Sequence, residues 1–204
     1  MVKAVRLPVA RPPAQNAPVA HGGVNETCLA RLRSLGVEFT PVLPIAASRG
    51  CRVPAPVAIS EIAPGVRLKP ESRLNCQTAE ALATWVRDVV LPTAVTELGS
   101  RPTALVHDST YICRRRNNRP DGKLSKHASG NAVDIRAITF ADRDTVLVRQ
   151  RDGSASAEKR FQARIRRDAC RYFTTVLGPG TNAAHATHFH FDLASRKGGY
   201  RLCQ

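Results

Sequence analysis

This 204-residue chain lacks any continuous apolar run of the length a membrane span needs, so no transmembrane segment is expected. Aromatic residues make up 5% of it, with a single tryptophan. That is too few for a base-stacking platform, and specific nucleic-acid recognition is not expected. Acidic residues are scarce, with 16 Asp and Glu against 31 Lys and Arg and a formal net charge of +15. Such a surface is drawn to polyanions, and an anionic envelope polymer answers that description without needing a groove-reading motif. None of the six cysteines forms a C-x-x-C pair, which argues against zinc-finger and thioredoxin chemistry. The N-terminus carries Lys3 and Arg6 but no apolar stretch behind them, so as it stands it does not read as a secretion signal.

The cysteines that are present, Cys28, Cys51, Cys76, Cys113, Cys170 and Cys203, are even in number and widely spaced. That pattern predicts disulfides and an oxidising compartment, the periplasm or cell envelope. Ten of the fourteen prolines fall in the first 70 residues. Residues 1–25 read as an extended or disordered Pro/Ala-rich tail, and residues 26–204 as one domain.

Within the domain, residues 27–32 suit a short helix, followed by a proline-broken loop and a short strand at 66–69. Asn75 is placed to cap a helix from Cys76. Leu82, Trp85, Val86, Val89 and Val90 form its apolar face, Pro92 is expected to kink or end it, and Gly99 marks a stop. Strands are expected at 104–113, 132–135, 145–150 and 187–193. Phe161, Ile165, Ala169, Phe173 and Val176 are spaced for a second helix, terminated by Gly178-Pro179-Gly180. The mix predicts an α+β fold, a mainly antiparallel sheet with helices packed on one side, stabilised by disulfides.

Four of the six histidines lie in two segments, His127-Ala-Ser-Gly-Asn-Ala-Val-Asp134 and His185-Ala-Thr-His188-Phe-His190-Phe-Asp192. On a strand, His188, His190 and Asp192 share one face while Phe189, Phe191 and Leu193 share the other. Asp134 sits between Val133 and Ile135, where a carboxylate is costly unless paired or bound to metal. The small residues from Ala128 to Ala132 allow a tight turn that brings His127 and Asp134 together. Two separated His/Asp clusters suit a zinc-type ion, and three protein ligands with one open position suit a catalytic one.

Thr110-Tyr-Ile-Cys-Arg114, Lys126-His-Ala-Ser-Gly-Asn-Ala-Val-Asp-Ile135, Ala169-Cys170, Thr175-Val-Leu-Gly-Pro179 and His188-Phe-His-Phe-Asp192, taken in order, resemble the bacterial extensin-like C-terminal domain family over residues 26–204. That family in turn resembles the zinc peptidases of the lysostaphin, D-Ala-D-Ala metallopeptidase and hedgehog type. The resemblance implies their fold and a Zn2+ held by His127, Asp134 and His190. It implies an acid/base or oxyanion role for His188, and Arg114 holding a substrate carboxylate. Likeness of His185-x-x-His188-x-His190 to the penicillin-insensitive murein endopeptidases adds His185 to the active site. The implied activity is hydrolysis of amide bonds in peptidoglycan stem peptides or cross-links, the implied partner peptidoglycan or another anionic envelope polymer. The alternative is a non-catalytic cationic envelope-binding protein with a structural or vestigial site. Two departures stand out: Lys126 where relatives often carry an acid, and no glutamate close to the last histidine. The second shifts the acid/base role to histidine and favours comparison with endopeptidases over carboxypeptidases. This architecture also suits pairing Cys28 with Cys51, Cys76 with Cys113 and Cys170 with Cys203, one of fifteen connectivities.

Overall fold

The computed structural model describes residues 25–204 apart from 48–49, 117–118, 152 and 154–155. The expected tail therefore lies, except for Asn25, outside the described residues. Asn25 caps α1 (Glu26–Ser34), its side chain accepting from the Cys28 amide at 3.1 Å. Where a proline-broken loop was expected, the chain instead forms β1 (Glu38–Pro41), β2 (Ile45–Ala46), β3 (Arg52–Val53) and β4 (Pro56–Ala63), while the strand expected at 66–69 is present and longer, as β5 (Val66–Asn75). Two of the prolines are accommodated because Pro41 ends the outermost strand of the sheet and Pro56 begins β4. At such positions no ladder hydrogen bond is lost.

Asn75 caps α2 (Cys76–Trp85) as expected, with its side chain accepting from the Thr78 amide at 2.8 Å. Pro92 does not end the helix. A π turn over Val86–Val90 widens the spiral just ahead of it, and α3 (Leu91–Leu98) continues to Gly99, whose φ of 63° closes it. A wide turn provides room for a ring that lacks an N–H to donate. Leu82, Trp85, Val86, Val89 and Val90 are all buried.

Then come β6 (Pro102–Ser109), β7 (Ala132–Phe140), β8 (Val146–Leu147), α4 (Ala157–Ala169), β9 (Thr175–Leu177), β10 (Phe189–Asp192) and β11 (Leu202–Cys203). The helical spacing read through Phe173 and Val176 overran the helix. α4 stops at Ala169, Phe173 lies in the following turn and Val176 in β9, yet both still face the core. The β-branched run Thr174-Thr175-Val176 suits a strand better than a helix. Gly178-Pro179-Gly180 accordingly follows a strand.

The main sheet has the order β1-β4-β5-β6-β7-β10-β9-β11, with β8 against β7. Most pairs are antiparallel, while β5–β6 and β9–β11 are parallel. Trp85 meets Phe191 edge-on at 5.1 Å, Phe173 stacks on Phe191 at 5.0 Å, and the Trp85 indole N–H donates to the Ile165 carbonyl at 2.9 Å. The helices α2–α4 thus cover the sheet face that carries Val133, Ile135, Phe189 and Phe191, and the opposite face is left for a site.

All six cysteines are paired, as Cys28–Cys76, Cys51–Cys113 and Cys170–Cys203. Only the last agrees with the pairing suggested above. Because α1 lies against α2, Cys28 meets Cys76. Cys51, just before β3, then reaches Cys113, beyond the end of β6. Three disulfides in a domain of this size are in keeping with an oxidising location. Among the described residues no helix is long and apolar enough to cross a membrane.

Candidate metal centre

Across β6, β7, β10 and β9 the register places Ser109 opposite Asp134, Asp134 opposite His190 and His190 opposite Leu177. Residues directly opposed on neighbouring strands present their side chains to the same face, so one row of the sheet assembles most of the site. His127 joins it from a 3-10 turn, Lys126–Ser129, just ahead of β7. Gly130 ends that turn with a φ of 65°, and its carbonyl accepts from the Asn75 amide at 3.0 Å. A methyl group at Gly130 would stand 2.9 Å from that amide nitrogen. The tight turn expected between His127 and Asp134 is present, and it depends on glycine.

The ring nitrogens have defined roles. His127 Nδ1 lies 2.8 Å from the Thr110 carbonyl. A carbonyl only accepts, so Nδ1 carries the proton and Nε2 is left as a lone pair. His190 Nε2 lies 3.2 Å from Asp192 Oδ2, which by the same reasoning gives Nε2 a proton and leaves Nδ1, in the neutral ring, as a lone pair. These two lone pairs lie 3.3 Å apart. Asp134 completes the group, with Oδ2 at 3.1 Å from His127 Nε2 and Oδ1 at 2.8 Å from His190 Nδ1.

Three electron-rich atoms converging in a buried place call for positive charge. Burial alone would raise the Asp134 carboxyl, but the imidazoles of His127 and His190 hold it well below the usual carboxylate range. Burial alone would lower the His190 imidazole, but Asp134 and Asp192 outweigh it and raise it to about 9. A divalent ion meets the same demand. Ligand bonds near 2.0–2.1 Å place tetrahedral donors about 3.3 Å apart; the two ligating nitrogens lie at that separation, 3.3 Å, with Asp134 Oδ2 at 3.1 Å from one and Oδ1 at 2.8 Å from the other. His127, Asp134 and His190 thus form a group able to hold a metal ion.

The group lies in a cleft of about 700 Å³ that also holds Arg114, His185 and His188. All six site residues expected from the sequence are therefore brought together. His188 sits one residue ahead of β10 rather than within it, with Nε2 3.8 Å from Asp134 Oδ1. The His185 ring centre is 5.5 Å from that of His188 and 5.7 Å from that of His190. Its Nδ1 lies 2.8 Å from Asn182 Oδ1. Burial, reinforced by His190 and His188, pushes His185 down to about 4.

A family model described as extensin-like protein C-terminus matches residues 26–204. The chain belongs to that family. Every cleft residue lies inside the matched extensin-like region. Comparison of this extensin-like chain with curated proteins and with solved structures found no match.

Sequence reasoning missed several supporting residues of the extensin-like site. Asp192 was placed on the ligand face but given no role. It holds His190 and also accepts from the Thr175 hydroxyl and, at 2.8 Å, from the Ala194 amide. The alternation His188-x-His190-x-Asp192 was the signal for it. Ser109 donates to Asp134 Oδ2 at 2.7 Å, and Arg196 donates to the Thr175 hydroxyl at 2.6 Å. Neither has a local signal, because β-sheet register and chain return bring them in.

Proposed function

We propose that this protein is a zinc-dependent peptidase, an endopeptidase by preference, that hydrolyses amide bonds in peptidoglycan stem peptides or cross-links in the periplasm or cell envelope. The observation that carries this reading is the convergence of two imidazole lone pairs and a carboxylate, with His188 and His185 beside them in a basic cleft. The resemblance to the zinc peptidases of the lysostaphin, D-Ala-D-Ala and hedgehog type supports it, and the disulfides support the location.

His127, Asp134 and His190 would hold the ion, and Thr110, Ser109 and Asp192 keep them in the required tautomer and orientation. Zinc there supplies Lewis acidity, acidifying water and polarising an amide carbonyl. His188 presents Nε2 to the cleft and serves as general base towards the attacking water, then returns the proton to the leaving amine. His185 stays neutral at neutral pH, donates Nδ1–H to Asn182, and offers Nε2 as an acceptor that orients the reacting groups. Arg114 grips a substrate carboxylate with paired hydrogen bonds.

The test is incubation of purified protein with cross-linked muropeptides, with and without chelator, read by mass spectrometry. A new product that disappears with chelator and returns with zinc is expected. No metal-dependent product across several linkage types overturns the reading. One observation favours a non-catalytic envelope binder instead: both carboxylates of the cleft, Asp134 and Asp192, are already engaged by histidines, which leaves no spare acid as general base. That alternative requires wall binding that survives His188→Ala, with no cleavage by the parent.

A further inference from the structure

The basic residues of the cleft stand on two sides of the metal position. Arg114, Arg116 and Lys126 belong to the connection that leaves β6 and enters β7, whereas Arg196 follows β10 and reaches back to β9. The Arg196 guanidinium is braced there, donating to the Thr174 carbonyl at 2.8 Å and to the Thr175 hydroxyl at 2.6 Å. In the sheet, β7 and β10, which carry Asp134 and His190, lie between β6 and β9. The two basic groups therefore flank the His/Asp/His centre across the strands.

Among the described residues none of these four cations forms an ion pair, whereas arginines elsewhere do, such as Arg31 with Glu80 at 2.5 Å and Arg143 with Glu158 at 3.1 Å. The bracing bonds of Arg196 use two of the five N–H donors a guanidinium has, so three remain for a ligand. Holding the fork in advance lowers the entropy lost when an anion binds.

We infer that Arg196 is a second anion-recognition pole, opposite the Arg114 pole, and that the cleft takes a peptide bearing a carboxylate on each side of the metal position. The inference rests on the peptidase reading and deepens it by naming the substrate class. From β6 to β9 is three strand spacings, about 14 Å. An extended peptide covers that in about four residues, so the two carboxylates are set about that far apart with the susceptible amide between them.

The experiment uses four versions of one short peptide with two carboxylates about four residues apart, both free, either one amidated, or both amidated. Equilibrium binding to the zinc-loaded protein is measured by calorimetry, and each mixture is then examined for cleavage by mass spectrometry. The dicarboxylate binds tightest, and each amidation weakens binding about tenfold. Arg196→Gln abolishes sensitivity to one carboxylate, and Arg114→Gln abolishes sensitivity to the other. If Arg196→Gln does not fold, Arg196→Lys takes its place, with sensitivity reduced at the same end only. An Arg196 variant that keeps the parental ranking, or weakens all four peptides alike, overturns the inference. The second pattern would mean that Arg196 acts only by bracing Thr175. End-specific binding without cleavage of any peptide supports the two poles and counts against the peptidase. Cleavage indifferent to amidation does the reverse.

Discussion

Asp192 holds the far nitrogen of His190: its Oδ2 lies 3.2 Å from Nε2, while Asp134 Oδ1 lies 2.8 Å from Nδ1 on the other side of the ring. A carboxylate behind a ligating histidine sets the tautomer and raises the basicity of the ligating nitrogen. Asp192→Asn keeps an oxygen for Thr175 and Ala194 but turns an amide N–H towards Nε2, which forces the proton onto Nδ1, the nitrogen proposed to hold metal. Zinc affinity is expected to fall roughly 10- to 100-fold, as read by chelator competition, with little change in secondary structure. Parental affinity in this variant would remove Asp192 from the site.

The metal-free protein should lose stability on the alkaline side. His190 is raised to about 9, against burial, by Asp134 and Asp192. An unfolded histidine titrates near 6.5. Its contribution is therefore fully present below about pH 6.5 and lost as pH rises through about 9. Asp134 is held low by His127 and His190, against burial. Its contribution is present above about pH 3.9, the unfolded value, and lost as pH falls through the depressed folded one. Melting temperature in chelator should thus decline as pH rises from about 6.5 towards 9. Zinc should remove the alkaline decline by taking the proton's place on Nδ1. Thermal melts in both conditions check this, and a flat alkaline limb in chelator contradicts it.

Gly130→Ala should damage fold and site together. The residue has a φ of 65°, and an added methyl meets the Asn75 amide nitrogen at 2.9 Å. Backbone strain of this kind costs about 1–3 kcal/mol, and relieving it means shifting the turn that carries His127 or the Asn75 backbone packed against it. Denaturant unfolding and zinc titration should both register the change. Gly180→Ala serves as control, because Gly180 has a φ of 93° but open space around it. That variant should show strain without loss of zinc. A Gly130→Ala protein that binds zinc as tightly as the parent would contradict the link between turn and site.

The Cys51–Cys113 bridge ties the chain just before Arg114 to the start of β3 and closes a separation of 62 residues. Loop-closure entropy for that length is worth about 4 kcal/mol. The double Cys51→Ser, Cys113→Ser variant should lose stability of that order in denaturant. It should also bind anionic peptides more weakly while keeping its zinc, since His127, Asp134 and His190 are held by the sheet and by the Gly130 turn. Equal loss of zinc and peptide would show that the bridge supports the whole centre.

Much of the site was legible because its residues obey short-range rules. Alternation alone put His190 and Asp192 on one face and Phe189 and Phe191 on the other, and the Asn75 cap and the Gly99 stop followed from local backbone chemistry. The strands of residues 38–63 were hidden because proline is tolerated on an edge strand and at the first residue of a strand, and local sequence does not say where those positions fall. The helix read through Val176 failed because a turn and a strand can present apolar residues to the same core at helical spacing. Two of the three disulfides were misassigned because α1 packs on α2, a contact between segments about fifty residues apart.

By itself, then, the chain determined which residues offer metal-ligating atoms and which face of each segment is apolar, since both depend on residue type and on backbone repeat. Tertiary structure alone decided that Asp134 stands opposite His190, that Ser109 and Asp192 support them, and that Arg114 and Arg196 flank them. Those relations depend on strand order and register, which are settled by burial of the shared core and not by any neighbour in sequence.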